Sequence, residues 1–463
     1  MKLWSKYFKT QRRNKILTKW GEPMKVNFDN KTVGGFNYEL IRALSTQQAG
    51  AAEFGECMET MARIKDNNFD SWITEWSRTA DFVADYARAQ LDSGDSRCAR
   101  LAFARACNYY RSACFYAAHA DPRQRDLWSK SVKCFHDMVD LSEQPIEIVD
   151  IPFENAKLPG YFLPSEQSDR PTLIAIGGFD STKEEVFFWI GAAARAYGWN
   201  CLIFEGPGQW CALMDNPELV FRPNYEKPIG AAVDYLATRG DIDNDKIAII
   251  GYSMGGYLCV RGALDPRVKA CIPNTLVVDC GASAREGMKG MVKNEAFMDK
   301  AFNLLMKLNT PARWGFQHSS WVLGVRTASE WVKAYENFTL LGYEDKLKEK
   351  PMLFMFSEDD ISNASATSKT IVAGLLDYIK SLDCPRYVRL FTRLEGASSH
   401  CQMGGLSYAQ TAIFAWLEHA LCGRGIKNQN AAASGLFVEL FCKYGGGESA
   451  AKAKALLNDI TFV

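Results

Sequence analysis

The run Gly251-Tyr252-Ser253-Met254-Gly255-Gly256 carries the clearest chemical signature in the chain. It follows the apolar stretch Lys246–Ile250 and precedes the helical pattern Tyr257-Leu-Cys-Val-Arg261. A G-x-S-x-G sequence between a strand and a helix places its serine on a sharp turn, exposed above a sheet edge. The flanking glycines let strand and helix approach closely there. The Met254 N–H then points toward a reacting carbonyl oxygen, helped by the helix N-terminus. The competing reading is an ordinary Gly-rich β–α turn.

A serine needs a base and an orienting acid to become a nucleophile. The chain order for such an elbow is serine, acid, histidine. Of the five histidines, only His400 and His419 lie well placed downstream. His400 sits in the loop Glu395-Gly-Ala-Ser-Ser-His400, after the last predicted core strand, and is assigned as the base. His419 lies in a helical pattern, His318 in an insertion, and His119 and His136 in amino-terminal helices, where packing or surface roles suffice. The acid should leave the preceding strand, where Glu358, Asp359 and Asp360 compete. Asp360 has the favoured offset from the strand end, ahead of Asp359 and then Glu358. A second oxyanion donor is expected from Gly177-Gly178-Phe179-Asp180, with the Phe179 N–H pairing that of Met254. Asp180, Glu184 or Glu185 would orient this loop or cap the helix after it.

The elements that must position these residues follow from periodicity. Helical spacing covers Leu40–Met61, Trp72–Leu91, Ala99–Ala118 and roughly Arg123–Leu141, so residues 1–148 read as an all-helical domain. From Pro145 the texture changes. Ile146–Ile151 and Gly160–Leu163 read as a strand pair. Short apolar strands then alternate with helices at Thr172–Ile176, Cys201–Phe204, Lys246–Ile250, Lys269–Ile272, Met352–Phe356 and Tyr387–Phe391. Helices are expected at Lys227–Ala237, Tyr257–Leu264, Ser368–Ser381, Ala409–Ala420 and Ala450–Leu457. The alternation implies a doubly wound, mostly parallel α/β sheet over 149–463. A helical, Met- and aromatic-rich stretch from about 281 to 350 reads as a cap inserted over its carboxyl edge.

The chain has 463 residues, enough for two or three domains, with normal globular usage at 47% hydrophobic and 23% charged. Lys+Arg and Asp+Glu are 54 each, so no global pull toward nucleic acid or anionic membrane is expected. That balance suits a neutral, apolar small-molecule substrate. No run long enough to span a membrane occurs, and Met1–Lys9 has no apolar signal core. The 14 Cys include no Cys-x-x-Cys pair and read as reduced, buried hydrophobes of a cytoplasmic protein. In such a compartment the sequons at Asn30, Asn337 and Asn363 carry no meaning. Asp241-Ile-Asp243-Asn-Asp245 mimics a calcium loop, but Lys246 stands where the glycine is required. Gly206-Pro-Gly208 lacks the third glycine of a dinucleotide loop. No metal and no cofactor is therefore expected.

The sequence also resembles the α/β-hydrolase family that includes 2,6-dihydroxypseudooxynicotine hydrolase, fermentation/respiration-switch esterase-like proteins and fungal yellowish-green-pigment-type hydrolases that shorten polyketides. The stretches that carry the resemblance are Gly177–Glu185, Phe204–Gln209, Arg222–Glu226, Gly251–Tyr257 and Glu395–His400, with Asn68–Trp72 and Asn108–Arg111 in the helical region. Glu205 departs from the aspartate usual in the family, and the tail beyond Leu421 has no counterpart. The resemblance implies an active site between the hydrolase core and the helical domain, homodimers, and hydrolytic cleavage of C–C bonds or esters. C–C cleavage requires a stabilised carbanion as leaving group, which selects β-diketone and polyketide-like substrates. Tyr109, Tyr110, Arg111, Trp314 and Trp321 are candidate pocket walls, with plain core as the competing reading. Three functional readings follow. The first is a serine hydrolase of a polyketide-type metabolite. The second uses the same triad for acyl transfer or cyclisation. The third is a non-catalytic binding protein of hydrolase shape.

Overall fold

The computed structural model describes residues 35–463 apart from 288–293, 368 and 427–429. The amino-terminal stretch without a signal core, the Asn30 sequon and Ser368 lie outside the described residues.

Nine strands form one sheet in the order β1-β2-β4-β3-β5-β6-β7-β8-β9. They are β1 Glu147–Phe153, β2 Ala156–Leu163, β3 Arg170–Ile176, β4 Asn200–Phe204, β5 Ile242–Tyr252, β6 Val268–Asn274, β7 Met352–Ser357, β8 Arg386–Phe391 and β9 Thr461–Phe462. β1 pairs antiparallel with β2, and β2 with β4. All the other pairings are parallel. The crossovers leaving the neighbouring strands β3 and β5 run in opposite directions, and the crevice between the carboxyl ends of two such strands is where α/β sheets bind ligands. On β5 the alternation is complete. Ile247 and Ile249 enter one apolar cluster with the helices Glu226–Ala237 and Gly255–Gly262, whereas Ala248 and Ile250 enter a second on the opposite face.

That second cluster also contains the amino-terminal helices. They are α1 Phe36–Ser45, α2 Phe54–Met61, α3 Phe69–Asp92, α4 Ser96–Phe115 and α5 Arg123–Asp140. The single helix expected over Leu40–Met61 is broken. A 3₁₀ turn at Thr46–Ala49 ends at Gly50, whose φ of 76° only glycine adopts freely. Asn68 and Asp95 cap α3 and α4 by accepting backbone N–H groups, which sets those helix starts. The aromatic ring set Phe36, Phe69, Trp72 and Tyr116 then locks α1, α3 and α4 together.

The segment between β6 and β7 contains the helices Cys280–Gly287, Glu295–Leu308, Thr310–Leu323 and Ala328–Glu336. Helix Glu358–Thr367 starts directly at the end of β7, so the three competing carboxylates occupy its first turn. The tail forms the helix Asn430–Leu456, and its Phe437 and Phe441 pack on Phe356 of β7. Strand β9 then pairs with β8. This two-residue edge strand has too little pattern to be read from sequence.

A buried ion network joins the helical region to the loop after β3. Arg42 of α1 binds Glu185 with two bonds of 2.9 and 2.7 Å and Asp180 at 3.1 Å. Arg111 of α4 meets the same Glu185 at 2.7 Å. Such a network is costly to break, because removing one member strands the opposite charge away from water. Replacing Arg42 by alanine is expected to lower the unfolding free energy by about 3–5 kcal/mol. The exposed pair Lys157–Asp150 should contribute under about 1 kcal/mol. Urea denaturation of Arg42→Ala and Lys157→Ala compares the two, and equal small effects would contradict this ranking.

Candidate active site

The elbow lies where β5 meets the helix Gly255–Gly262. Ser253 has φ 58°, the left-handed region that a non-glycine residue avoids unless its surroundings hold it there. Two close approaches require glycines around it. A Cβ on Gly256 would meet the Thr275 carbonyl oxygen at 1.8 Å. A Cβ on Gly178 would lie 2.9 Å from Ser253 Cβ and 3.1 Å from the Met254 nitrogen. The loop carrying Phe179 is thus pressed directly against the Ser253 turn.

The register of β5 and β6 sets Tyr252 opposite Asn274. Asn274 consequently reaches two loops directly and a third through Gln402. Its carbonyl accepts the Ser253 N–H at 2.6 Å. Its side-chain amide exchanges two bonds with Gln402, at 2.7 and 3.0 Å. Gln402 also donates to Ser357 Oγ, the last residue of β7, at 2.9 Å. Gln402 and Cys401 both have positive φ, at 56° and 55°, so the amide pair holds a strained His400 loop.

His400 Nδ1 lies 2.8 Å from Asp360 Oδ1. The second Asp360 oxygen accepts from Thr275 Oγ1 at 2.8 Å. The neighbouring carboxylates are engaged elsewhere. Glu358 and Asp359 both bind Arg393, and Asp359 also accepts from Ser398 Oγ. Burial opposes charge on His400, but the Asp360 carboxylate outweighs it and holds the imidazole well above its ordinary value.

The helical region reaches this loop too. Tyr38 of α1 donates its hydroxyl to the His400 carbonyl at 3.3 Å, and Ser45 Oγ accepts the Gly404 N–H at 2.7 Å. The oxyanion-side loop is held from several directions. Gln209 Nε2 donates to the Gly177 and Gly178 carbonyls, and Trp210 Nε1 to that of Asp180. His318 Nε2 lies 3.1 Å from the Phe179 carbonyl. A carbonyl only accepts, so Nε2 carries the proton. Burial lowers the His318 pKa, which favours this neutral tautomer.

Of the five candidate wall residues, Trp314 and Trp321 lie beside this loop. Trp314 stacks on His318, and Trp321 meets both His318 and Trp210 edge-on. Their i, i+4, i+7 spacing with His318 puts all three on one helix face, the signal that would have singled out His318. Arg111 belongs to the buried ion network. The Tyr109 hydroxyl bonds to Glu56 and the Glu53 N–H, and the Tyr110 hydroxyl to Asp81, all within the helical region. Asp180 and Glu185 orient the loop through Arg42, while Thr182 caps the following helix. Among the described residues, Glu184, Glu205 and Cys211 could together face a metal ion. The Lys183 side chain already occupies that group, bonded to Glu184 and 2.6 Å from Cys211 Sγ. Cys211 is one of ten buried cysteines among the fourteen, all of which are free.

The amide pair yields a prediction. Gln402→Leu removes both bonds to Asn274 while keeping bulk. It should lower kcat by roughly 10–100-fold with little change in KM, because an ångström-scale shift of a catalytic loop has that effect. Steady-state kinetics with a chromogenic ester reads it, and an unchanged kcat would contradict the positioning role.

No family model matches the chain. Among curated proteins, it is 34% identical over 343 residues to hydrolase acrC of Aspergillus aculeatus, covering 68% of this chain and 80% of that one. It is 31% identical to hydrolase LUC6 of a Fusarium species, over 83% of this chain and 96% of the relative. It is 30% identical to 20-hydroxy-prefusarin hydrolase FUS2 of Gibberella moniliformis, again over 83% and 96%. Among solved structures, 2,6-dihydroxy-pseudo-oxynicotine hydrolase superposes with a TM-score of 0.62 at 19% identity, covering 83% of this chain and 97% of that one. The fold, the enzyme class and these relatives agree: the chain belongs to the α/β-hydrolase family and is a hydrolase related to fungal enzymes of that kind.

Proposed function

We propose that the chain is a serine hydrolase that cleaves a C–C bond or an ester of a polyketide-type small molecule through an acyl-serine intermediate. The observation that carries this is the His400–Asp360 bond of 2.8 Å, on a loop tied through Asn274 to the strained Ser253. Ser253 Oγ attacks the carbonyl carbon, and His400 Nε2 takes its proton. Asp360 holds the ring by Nδ1 and balances the imidazolium. The Phe179 and Met254 N–H groups receive the developing oxyanion. His400 then protonates the leaving enolate or alcohol, and water, deprotonated by His400, releases the acid.

The substrate class rests on one support. FUS2 is named for hydrolysing 20-hydroxy-prefusarin, and its likeness covers most of both chains. An apolar hollow of about 360 Å³ adjoins Asp360, but neither Ser253 nor His400 lines it. Trp314 and Trp321 form the wall on the Phe179 side, and Arg111 acts behind them. A two-domain division near residue 148, a cap over 281–350, cytoplasmic location and pairing of two copies complete the proposal. Light scattering reads the pairing. Among the described residues no helix is long and apolar enough to cross a membrane.

Hydrolysis in heavy-oxygen water tests the reaction. One solvent oxygen should enter the released acid, whereas an unlabelled cyclic product would establish acyl transfer instead. Ser253→Ala should lower kcat by at least about 10⁴-fold. The base must be neutral to act, and Asp360 holds His400 high, so kcat/KM should rise with pH along a limb displaced to the alkaline side. In Asp360→Asn the largest upward pull on the ring is gone, so burial counts for more and the residual activity should have its limb at lower pH. Asp359→Asn should leave the limb in place. A shift in Asp359→Asn and none in Asp360→Asn would overturn the acid assignment.

A further inference from the structure

Lys183 and Cys211 form a contact unlike any other cysteine contact to nitrogen or oxygen described here. Lys183 Nζ lies 2.6 Å from Cys211 Sγ. Cysteine hydrogen bonds elsewhere in the chain measure 3.8 Å to Tyr109, 3.5 Å to Ser131, 3.3 Å to the Gln124 carbonyl and 3.7 Å to the Asn274 carbonyl. Sulfur is larger than oxygen, so an N–H···S bond must exceed the 2.7–3.2 Å of N–H···O. A single oxygen atom bridging nitrogen and sulfur at a bent angle holds the two atoms closer together than an N–H···S hydrogen bond does.

A second observation shows that the pair is held. Glu205 accepts the Lys183 N–H at 2.7 Å through one oxygen and the Cys211 N–H through the other. One carboxylate therefore clamps the backbone of both partners. Burial pushes Glu205 up to about 7 against the opposing pull of Lys183. Glu184 Oε1 lies 2.7 Å from Lys183 Nζ, and this contact favours the ammonium and the carboxylate at rest. Both side chains are buried, and nothing in the proposed hydrolysis uses either.

We propose that Lys183 and Cys211 are a redox modification site, joined under oxidising conditions by a covalent Nζ–O–Sγ bridge. Hydrogen peroxide is the oxidant. Cys211 Sγ attacks a first peroxide and its O–O bond breaks. An S–O bond forms, giving a sulfenic acid and one water. Lys183 passes its ammonium proton to Glu184. A second peroxide accepts two electrons as the sulfenic O–H and one amine N–H give way to an N–O bond, with two further waters released. Four electrons in all pass from sulfur and nitrogen to two peroxides, and thiols reverse the step by reducing the bridge.

The consequence lies at the oxyanion loop. Lys183 directly follows that loop, and Cys211 follows Gln209 and Trp210, which hold the carbonyls of Gly177, Gly178 and Asp180. The bridge cross-links the two sides of this arrangement and makes its stiffness depend on redox state.

Peptide mapping of the folded full-length chain after peroxide treatment tests this directly. The expected product is a Lys183 peptide joined to a Cys211 peptide with a net gain of about 14 Da over the unlinked pair. It should separate on dithiothreitol treatment and be absent from Cys211→Ser. The bridged form should also unfold roughly 2–5 °C above the reduced one. Three results would overturn the proposal: Lys183 recovered only in unlinked peptides, Cys211 oxidised by gains of about 16 or 32 Da without linkage, or a link with a net loss of about 2 Da, which is a direct S–N bond. The wild-type digest decides among these even if a variant fails to fold.

Discussion

Asn274 is the point on which the candidate site depends. It ends β6 beside the nucleophile turn, where the parallel register of β5 and β6 puts it opposite Tyr252. Its carbonyl holds the Ser253 N–H, and its amide holds Gln402 two residues beyond His400. Thr275, the next residue, donates to Asp360 and fills the space that a side chain on Gly256 would need. The proposed nucleophile, base and acid come from three loops of distant sequence. One dipeptide at a strand end fixes their relation. A left-handed serine and a His loop with two left-handed residues are each unfavourable by about 1–3 kcal/mol. They persist because buried hydrogen bonds with short, well-directed geometry over-determine them.

The helical region is part of this arrangement. Tyr38 and Ser45 of α1 hold the His400 loop, while Arg42 and Arg111 hold the loop of Phe179 through Asp180 and Glu185. Both sides of the site are therefore braced by the same helices. Their packing against the sheet in one apolar cluster gives the braces a rigid base. The helices thereby hold the geometry of the candidate site.

Much of this was legible in the chain, and the limits have physical causes. The strand–turn–helix around Ser253 and the strands β3 to β8 follow from local pattern and chain order. The contact of Asp360 with His400 agrees with the local offset, while Arg393 engages the two neighbouring carboxylates. Asn274, Gln402 and Tyr38 were not legible, because their roles arise from contacts between segments tens to hundreds of residues apart. Polar residues in loops carry no periodic signal. The break of Leu40–Met61 was missed because its apolar spacing continues through Thr46–Ala49, and only Gly50 marks the stop. Tyr109 and Tyr110, singled out for their aromatic character, have hydroxyl partners within the helical bundle. Residue type alone does not say which face of a helix meets the site.

The central claim is that Ser253 is a nucleophile activated by His400. A fluorophosphonate probe followed by peptide mapping tests it most directly, because the probe records attack without requiring the natural substrate. The account predicts a covalent adduct on Ser253 in the wild-type chain and its loss in His400→Ala, which retains the serine but removes the base. An adduct-free Ser253 in the folded wild-type chain, or undiminished labelling in His400→Ala, would contradict it.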